Sequence, residues 1–327
     1  MKHLLTIGEL EPGQVQTILD LSVDLHEQSP QILQGKNIAF VFEKPSLRTK
    51  VGAEVAINHL GGNVVDVDGD LMFSSSKAVP FSFRESLYDA IKNVSQWCDA
   101  IFARVYSHST LEKMKEYGQI PIINALCDLH HPMQALADIL TIQRNFGKEK
   151  INLTFVGDAN NVALSLTEVM LYFGHDITFS GPEEYGWDDE KLEYFANLST
   201  EFGGSFTVED DPKTAVSKAD VIYTDTFISM GQEHMYEEKI KHFEEYQVNE
   251  ELFSHAKNET GFMHCLPAHR GVEVTDEVID HKNSWVYQQA KNRMIVSKGV
   301  FTSLLYPSLL SGEETLSSLE AKFQLTT

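Results

Sequence analysis

The chain has 327 residues, 42% hydrophobic and 10% aromatic, enough for two domains of ordinary size with a substantial core in each. Its formal net charge of −22 excludes a nucleic-acid binder, which would need clustered Lys and Arg, and disfavours an anionic membrane surface. No apolar stretch approaches the roughly 20 residues needed to span a bilayer, the N-terminal segment turns acidic at Glu9, too early for a signal peptide, and three scattered cysteines (Cys98, Cys127, Cys265) fit neither a disulfide framework nor a metal site, which implies a reducing, cytoplasmic setting.

Strand-like runs alternate with helical patterns along the whole chain. A helix is expected over Glu11–Gln28, followed by strand Ile38–Phe42, helix Arg48–Leu60, strand Val64–Val67, helix Glu85–Trp97, strand Ala100–Arg104, helix Ser109–Tyr117, strand Pro121–Asn124 and helix Met133–Phe146. The polar run Gly147-Lys148-Glu149-Lys150 reads as a hinge. Beyond it come strand Leu153–Val156, helix Ala163–Phe173, strand Ile177–Ser180, helix Asp188–Phe202, strand Ser205–Val208, helix Pro212–Lys218, strands Val221–Thr224 and Phe262–His264, and a last helix over Asn292–Leu305. Leu309–Thr327 reads as a frayed or surface-docked tail. Strand, crossover helix, strand is the pattern of an α/β protein: two doubly wound parallel-sheet domains joined by terminal helices. The expected boundaries are 1–147 (with the C-terminal helix packing back), 148–305, and a tail over 306–327.

Several joints between strand and helix carry chemistry. Ser46-Leu47-Arg48-Thr49 follows a strand and opens a helix, where backbone N–H groups, hydroxyls and one guanidinium can hold a phosphate; an N-cap serine beside a surface arginine is the plainer reading. In so acidic a protein a phosphate site needs arginines converging from separate segments. Arg104 ends a strand, where α/β proteins place ligand-binding groups, though an arginine must leave the core there in any case. The pair His130-His131 lacks suitably spaced third and fourth ligands, so no metal is expected. Phe155 to Val162 runs from strand through turn to helix without the Gly-x-Gly-x-x-Gly pattern, so no dinucleotide cofactor is expected. Cys265, near His264 and His269, admits both a nucleophilic and a non-nucleophilic role.

Taken together and in this order, Ser46-Leu47-Arg48-Thr49, His131-Pro132-Met133-Gln134 and His264-Cys265-Leu266-Pro267-Ala268-His269-Arg270-Gly271 resemble the aspartate/ornithine transcarbamylase family, and within it the ornithine-using enzymes. Gly157-Asp158-Ala159-Asn160-Asn161, Asp225 to Gly231 and Asn292-Arg293 are similar to further motifs of that family, and the resemblance extends from about residue 5 to 305. It implies a carbamoyltransferase of arginine metabolism that moves the carbamoyl group from carbamoyl phosphate to the δ-amine of L-ornithine, giving citrulline and phosphate. Transfer to putrescine or an N-acylated ornithine, or a non-catalytic regulatory role, are the alternatives. The family's roles carry over to Ser46, Leu47, Arg48, Thr49, Arg104, His131, Gln134, Cys265, Leu266 and Arg293 for carbamoyl phosphate. They carry over to Asn161, Asp225, Ser229 and Met230 for ornithine, with Arg104, His131 and Cys265 catalytic. No metal or organic cofactor, a homotrimer or multiple of trimers, and a cytoplasmic location are further implications. The sequence departs from the family at Leu47 (usually Thr), at Lys50 to Ala53, at Phe227 (usually Trp), and in a long stretch from Asp66 to Phe83. There Ser74–Lys77 either forms a surface insertion or reaches a neighbouring subunit's phosphate through Lys77.

Overall fold

The computed structural model describes residues 2–72, 85–228 and 233–324. It divides into two compact units, one of residues 1–136 and 291–327, the other of residues 137–290. The expected Ser74–Lys77 stretch, Ser229 and Met230 lie outside the described residues. Among the described residues no helix is long and apolar enough to cross a membrane.

The first unit is built on a four-stranded parallel sheet of β1 (Asn37–Phe42), β2 (Asn63–Asp68), β3 (Ala100–Arg104) and β4 (Ile122–Leu126), in the order β2-β1-β3-β4. Its helices are α1 (Pro12–Gln28), α2 (Leu47–His59), α3 (Gly69–Met72), α4 (Leu87–Trp97) and α5 (His108–Tyr117). The N-terminal segment extends the β4 edge, with Leu4 N–H donating to Ile122 O and Asn124 N–H to Leu4 O. α6 (Pro132–Phe146) starts in this unit, and the later part of α13 (Val286–Leu305) belongs to it. Phe301 of α13 packs edge-on against Phe102 of β3, ring centroids 5.4 Å apart. α1 and α13 approach so closely at Gly299 that a Cβ there would lie 2.0 Å from Ser22 Oγ and 2.5 Å from Ile18 O. Only glycine fits, and this contact fixes the register of the helix that carries Arg293.

The second unit holds a five-stranded parallel sheet: β5 (Asn152–Val156), β6 (Asp176–Ser180), β7 (Ser205–Val208), β8 (Val221–Thr224) and β9 (Gly261–His264), in the order β7-β6-β5-β8-β9. Its helices include α7 (Asn161–Tyr172), α8 (Asp189–Phe202), α9 (Pro212–Val216), α10 (Tyr236–Phe243), α11 (Glu250–Ser254) and α12 (Asp276–Ile279). Both sheets reverse their winding direction once, at β1/β3 and at β5/β8. In open α/β sheets ligands bind beyond the carboxyl ends of the strands at such a switch point.

The α/β class and the two doubly wound sheets are as the alternation implies. Some details differ. The helix expected over Asn292–Leu305 begins at Val286, β2 runs to Asp68, one residue beyond the expected Val67, and α10, α11 and α12 lie where no helix is expected. Of the two readings of the tail, the docked one agrees with the structure: it forms α14 (Ser308–Ser311) and α15 (Leu316–Gln324), with Leu309 and Leu319 buried. Burial of those two leucines holds the segment down, while the Ser308–Glu314 hydrogen bond and the Lys322–Glu314 ion pair link its parts to one another.

Candidate active site

In the first unit the sequence-singled residues gather beyond the carboxyl ends of β1, β3 and β4. Ser46 has the extended backbone of an N-cap (φ −151°, ψ 116°), but its side chain does not cap α2; Oγ donates to Thr49 Oγ1 at 3.0 Å instead. The first-turn N–H groups of α2 have no intrahelical acceptors by geometry, so this end presents donors and the positive end of the dipole. Leu47 is three-quarters exposed, consistent with a position that offers only its backbone. Thr49 is buried and accepts a second hydrogen bond, from Arg293 Nη2 at 2.8 Å. Arg293 Nη1 donates to Gln134 Oε1 at 3.1 Å. One guanidinium on α13 therefore ties the first turn of α2 to the first turn of α6.

His131 sits immediately before α6, and its carbonyl accepts the N–H groups of Gln134 and Ala135. The imidazole is buried, and its pKa is held well below the ordinary 6.5 by burial first, then by the positive charges of Arg293, Arg104 and Arg48. These three arginines, from α13, the end of β3 and the start of α2, act on the same ring. The result is a neutral imidazole inside a positive field, which suits an anion with a developing negative oxygen.

Residues that carry no motif shape this cluster. Glu43, whose carboxyl is pushed up by burial, accepts Tyr106 N–H at 2.6 Å, and Glu43 N–H donates to Arg104 O, so the turns after β1 and β3 are pinned around Arg104. Asn124 donates to Leu5 O, and Cys127 Sγ accepts His130 N–H at 3.3 Å, shaping the turn that presents His131. The rings of His130 and His108 stand 5.2 Å apart.

The second unit gathers Asn161, Asp225, Cys265 and Leu266 beyond the ends of β5, β8 and β9. Gly157 leaves β5 at φ +142°, a conformation side-chain-bearing residues rarely adopt. Asp158 forms a buried ion pair with Lys239 of α10, Nζ to Oδ2 at 2.6 Å, and Lys239 also lies over the rings of Tyr185 and Phe243. Asn160 caps α7, Oδ1 accepting from Val162 and Ala163 N–H, while its Nδ2 donates to Asp225 Oδ2 at 2.9 Å. Asn161 is the first residue of α7 and half-buried. Asp225 is buried, and its other oxygen accepts the Cys265 thiol proton, Sγ to Oδ1 at 2.9 Å. Phe227, expected beside the substrate motif, is buried and stacks on Phe243 with centroids 4.5 Å apart, so this departure from Trp is a packing matter.

The turn after β9 is tightly held. Leu266 adopts φ +58°, which costs a non-glycine residue about 1–2 kcal/mol, and the Leu266–Pro267 peptide is cis. Leu266 N–H donates to His264 Nδ1 at 2.9 Å, leaving the proton on Nε2, which faces buried Glu273 Oε1 at 3.3 Å. Glu273 Oε1 also accepts His269 N–H, and His269 Nδ1 lies 3.1 Å from Thr226 Oγ1. Arg270 is committed to Asp276 and Asp280. Among the described residues one trio of potential metal-ligand atoms, on Asp225, His264 and Cys265, lies within 4.8 Å of one another. In this arrangement the His264 Nδ1 lone pair is already taken and Nε2 carries the proton, so the imidazole has none to offer a cation.

Sequence reasoning missed Asn160, Glu273, Glu43 and Lys239. Only Asn160 carried a signal, an Asn just before an apolar helical run.

Residues 149–304 match the family description "Aspartate/ornithine carbamoyltransferase, Asp/Orn binding domain", and residues 2–144 match "Aspartate/ornithine carbamoyltransferase, carbamoyl-P binding domain". An ornithine carbamoyltransferase of Pyrococcus abyssi is 41% identical over 310 residues, spanning 93% of this chain and 96% of its own. One of Bacillus subtilis is 42% identical over 307 residues, spanning 93% and 94%. The solved structure of ornithine carbamoyltransferase from Pyrococcus furiosus superimposes with a TM-score of 0.87 at 40% identity, covering 93% of this chain and 97% of that one. The chain belongs to the aspartate/ornithine carbamoyltransferase family.

Proposed function

We propose that the protein transfers the carbamoyl group from carbamoyl phosphate to the δ-amine of L-ornithine, giving citrulline and phosphate, as an ornithine carbamoyltransferase of arginine metabolism. The observation that carries this reading is the convergence of Arg48, Arg104 and Arg293 on buried, neutral His131 beside Thr49 and Gln134. The relatives named above support ornithine as the acceptor.

In this reading residues 1–147 hold carbamoyl phosphate, 148–305 hold ornithine, and 306–327 take no part in either. The first turn of α2, with Ser46, Leu47, Arg48 and Thr49, grips the phosphate. Arg293 orders Thr49 and Gln134 for it. Gln134 and the Leu266 carbonyl engage the carbamoyl amide. Asn161, Asp225, Ser229 and Met230 hold the amino-acid end of ornithine, and Cys265 borders the reacting amine. The neutral δ-nitrogen attacks the carbamoyl carbon; the new C–N bond forms, the C–O bond to phosphate breaks with its electron pair leaving on the phosphate, and the proton shed by the nitrogen ends on that phosphate. Arg104 and the remaining imidazole N–H of His131 donate to the oxygen on which negative charge develops. A neutral imidazole is the better device there, since it adds a donor without a fourth positive charge to the cluster. The assembly is a homotrimer or a multiple of it, and the location cytoplasmic.

Steady-state citrulline or ureido-product formation, with ornithine, putrescine and N-acetylornithine offered in turn, tests the reading. Ornithine should be preferred by at least about a hundredfold in kcat/KM, since buried polar groups left unpaired by the wrong substrate discriminate strongly. Equal turnover of the three amines would defeat it.

A further inference from the structure

β9 is the outermost strand of its sheet, so every second backbone N–H along it points away from β8 and needs a partner from outside the sheet. The first such group, Phe262 N–H, donates to Asn283 O at 2.9 Å. The next, His264 N–H, donates to the side chain of Gln289, Oε1 at 2.9 Å, one residue before Cys265. Gln289 lies on α13 and is buried, and its Nε2 donates to Asp138 Oδ1 on α6 at 2.8 Å. The other oxygen of buried Asp138 accepts the hydroxyl of buried Tyr223 at 3.0 Å. The chain of donors runs Tyr223 O–H to Asp138 on one side, and Asp138 from Gln289 on the other, with Gln289 accepting from the strand. The amide of Gln289 cannot turn over without facing a donor to a donor and an acceptor to a carboxylate.

We propose that Gln289 is a positioning residue for the Cys265–Asp225 pair: oriented by Asp138, it anchors the last outward N–H of β9 and so sets where Cys265 leaves the strand. The anchor acts one residue before the thiol, whose own hydrogen bond to Asp225 tolerates only small displacement. The kinetic part of the inference rests on the carbamoyl-transfer reading; the placement of the thiol does not.

Gln289→Glu breaks the relay by setting a second carboxylate against Asp138. Combining Gln289→Glu with Asp138→Asn restores it with the roles exchanged: the introduced amide donates to the introduced carboxylate, which still accepts His264 N–H, and total charge is unchanged. Two readouts apply to both variants. The first is the rate of iodoacetamide alkylation at Cys265, resolved peptide by peptide, Cys98 and Cys127 being buried. The second is the apparent KM for each substrate. The single variant should alkylate at Cys265 about tenfold faster, because the thiol is released from Asp225, and should raise the ornithine KM about tenfold with carbamoyl phosphate changed less than about twofold. The double variant should return both to within about threefold of wild type. Unchanged alkylation in the single variant, or a double variant no better than the single one, overturns the proposal. Absence of citrulline formation by the wild type would defeat the functional reading, while alkylation would still decide the placement of Cys265.

Discussion

Replacing His131 by Asn exposes the electrostatics of the arginine cluster around it to measurement. Burial and the charges of Arg293, Arg104 and Arg48 hold the folded-state pKa of His131 well below 6.5. Between that low value and the unfolded pKa, the unfolded chain binds a proton that the folded chain refuses. Stability therefore falls as pH drops below about 6.5 and is recovered above it. With an unfolded pKa of about 6.5, moving from pH 7 to pH 5 costs the folded state at most about 2 kcal/mol through this residue alone, the limit for a folded ring that takes up no proton. His3, pushed down to about 4, and His175, pushed down, both mainly by burial, act in the same direction; Glu168, pushed up to about 7 by burial, acts in the opposite one. These contributions are common to both proteins and cancel in the difference. His131→Asn should thus lose less stability than wild type over that interval, by up to about 2 kcal/mol, measured from guanidinium unfolding of the same transition at both pH values. Imidazole nitrogen-15 spectra, differenced between the two proteins, isolate the His131 signal, which should remain that of the neutral ring at pH 5. A signal titrating near 6.5, or acid sensitivity equal in the two proteins to within about 0.5 kcal/mol, would refute the reasoning.

Arg48→Gln should raise the KM for carbamoyl phosphate at least about tenfold through loss of a charged, bidentate donor, with the ornithine KM within about twofold and the melting temperature little changed; steady-state kinetics in both substrates checks this. Asp225→Asn should raise the ornithine KM far more than the carbamoyl phosphate KM. Because Asn160 and Cys265 both donate to this carboxylate, an amide must face one donor with its own, and faster Cys265 alkylation should accompany the kinetic change. Lys239→Met should cost about 3–5 kcal/mol of stability by stranding the Asp158 carboxylate, and Lys239→Met with Asp158→Leu should recover part of it, read by denaturant titration.

Strands were legible because runs such as Ile38-Ala39-Phe40-Val41-Phe42 fill a layer covered on both faces, and hydrophobicity alone marks them. Their ends were less so: Asn37 pairs with Asn63, and Asn152 with Asp176, polar residues recruited by backbone pairing rather than by pattern. The first two turns of α13 hid for a related reason. Gln289 is buried there, and a buried polar residue gives no apolar period to follow. α10 was missed because Glu237, Glu238, Lys239, Lys241 and His242 leave little but Ile240 and Phe243 to suggest a core face.

The arginines, His131, Asp225 and Cys265 stood out as motif residues at strand ends. The pairings that hold them did not. Arg293 with Thr49, Asn160 with Asp225, and Gln289 with His264 are separated by 244, 65 and 25 positions, and such pairs exist only after the sheets assemble.

Carbamoyl phosphate labelled with carbon-13 at the carbamoyl carbon, incubated with the protein and ornithine and followed by NMR, tests the central claim most directly. The signal should pass to the ureido carbon of citrulline with one phosphate released per citrulline, and should stay in carbamoyl phosphate or its uncatalysed breakdown products when N-acetylornithine or putrescine replaces ornithine. Label appearing on those amines as readily as on ornithine, or on none of the three, would contradict it.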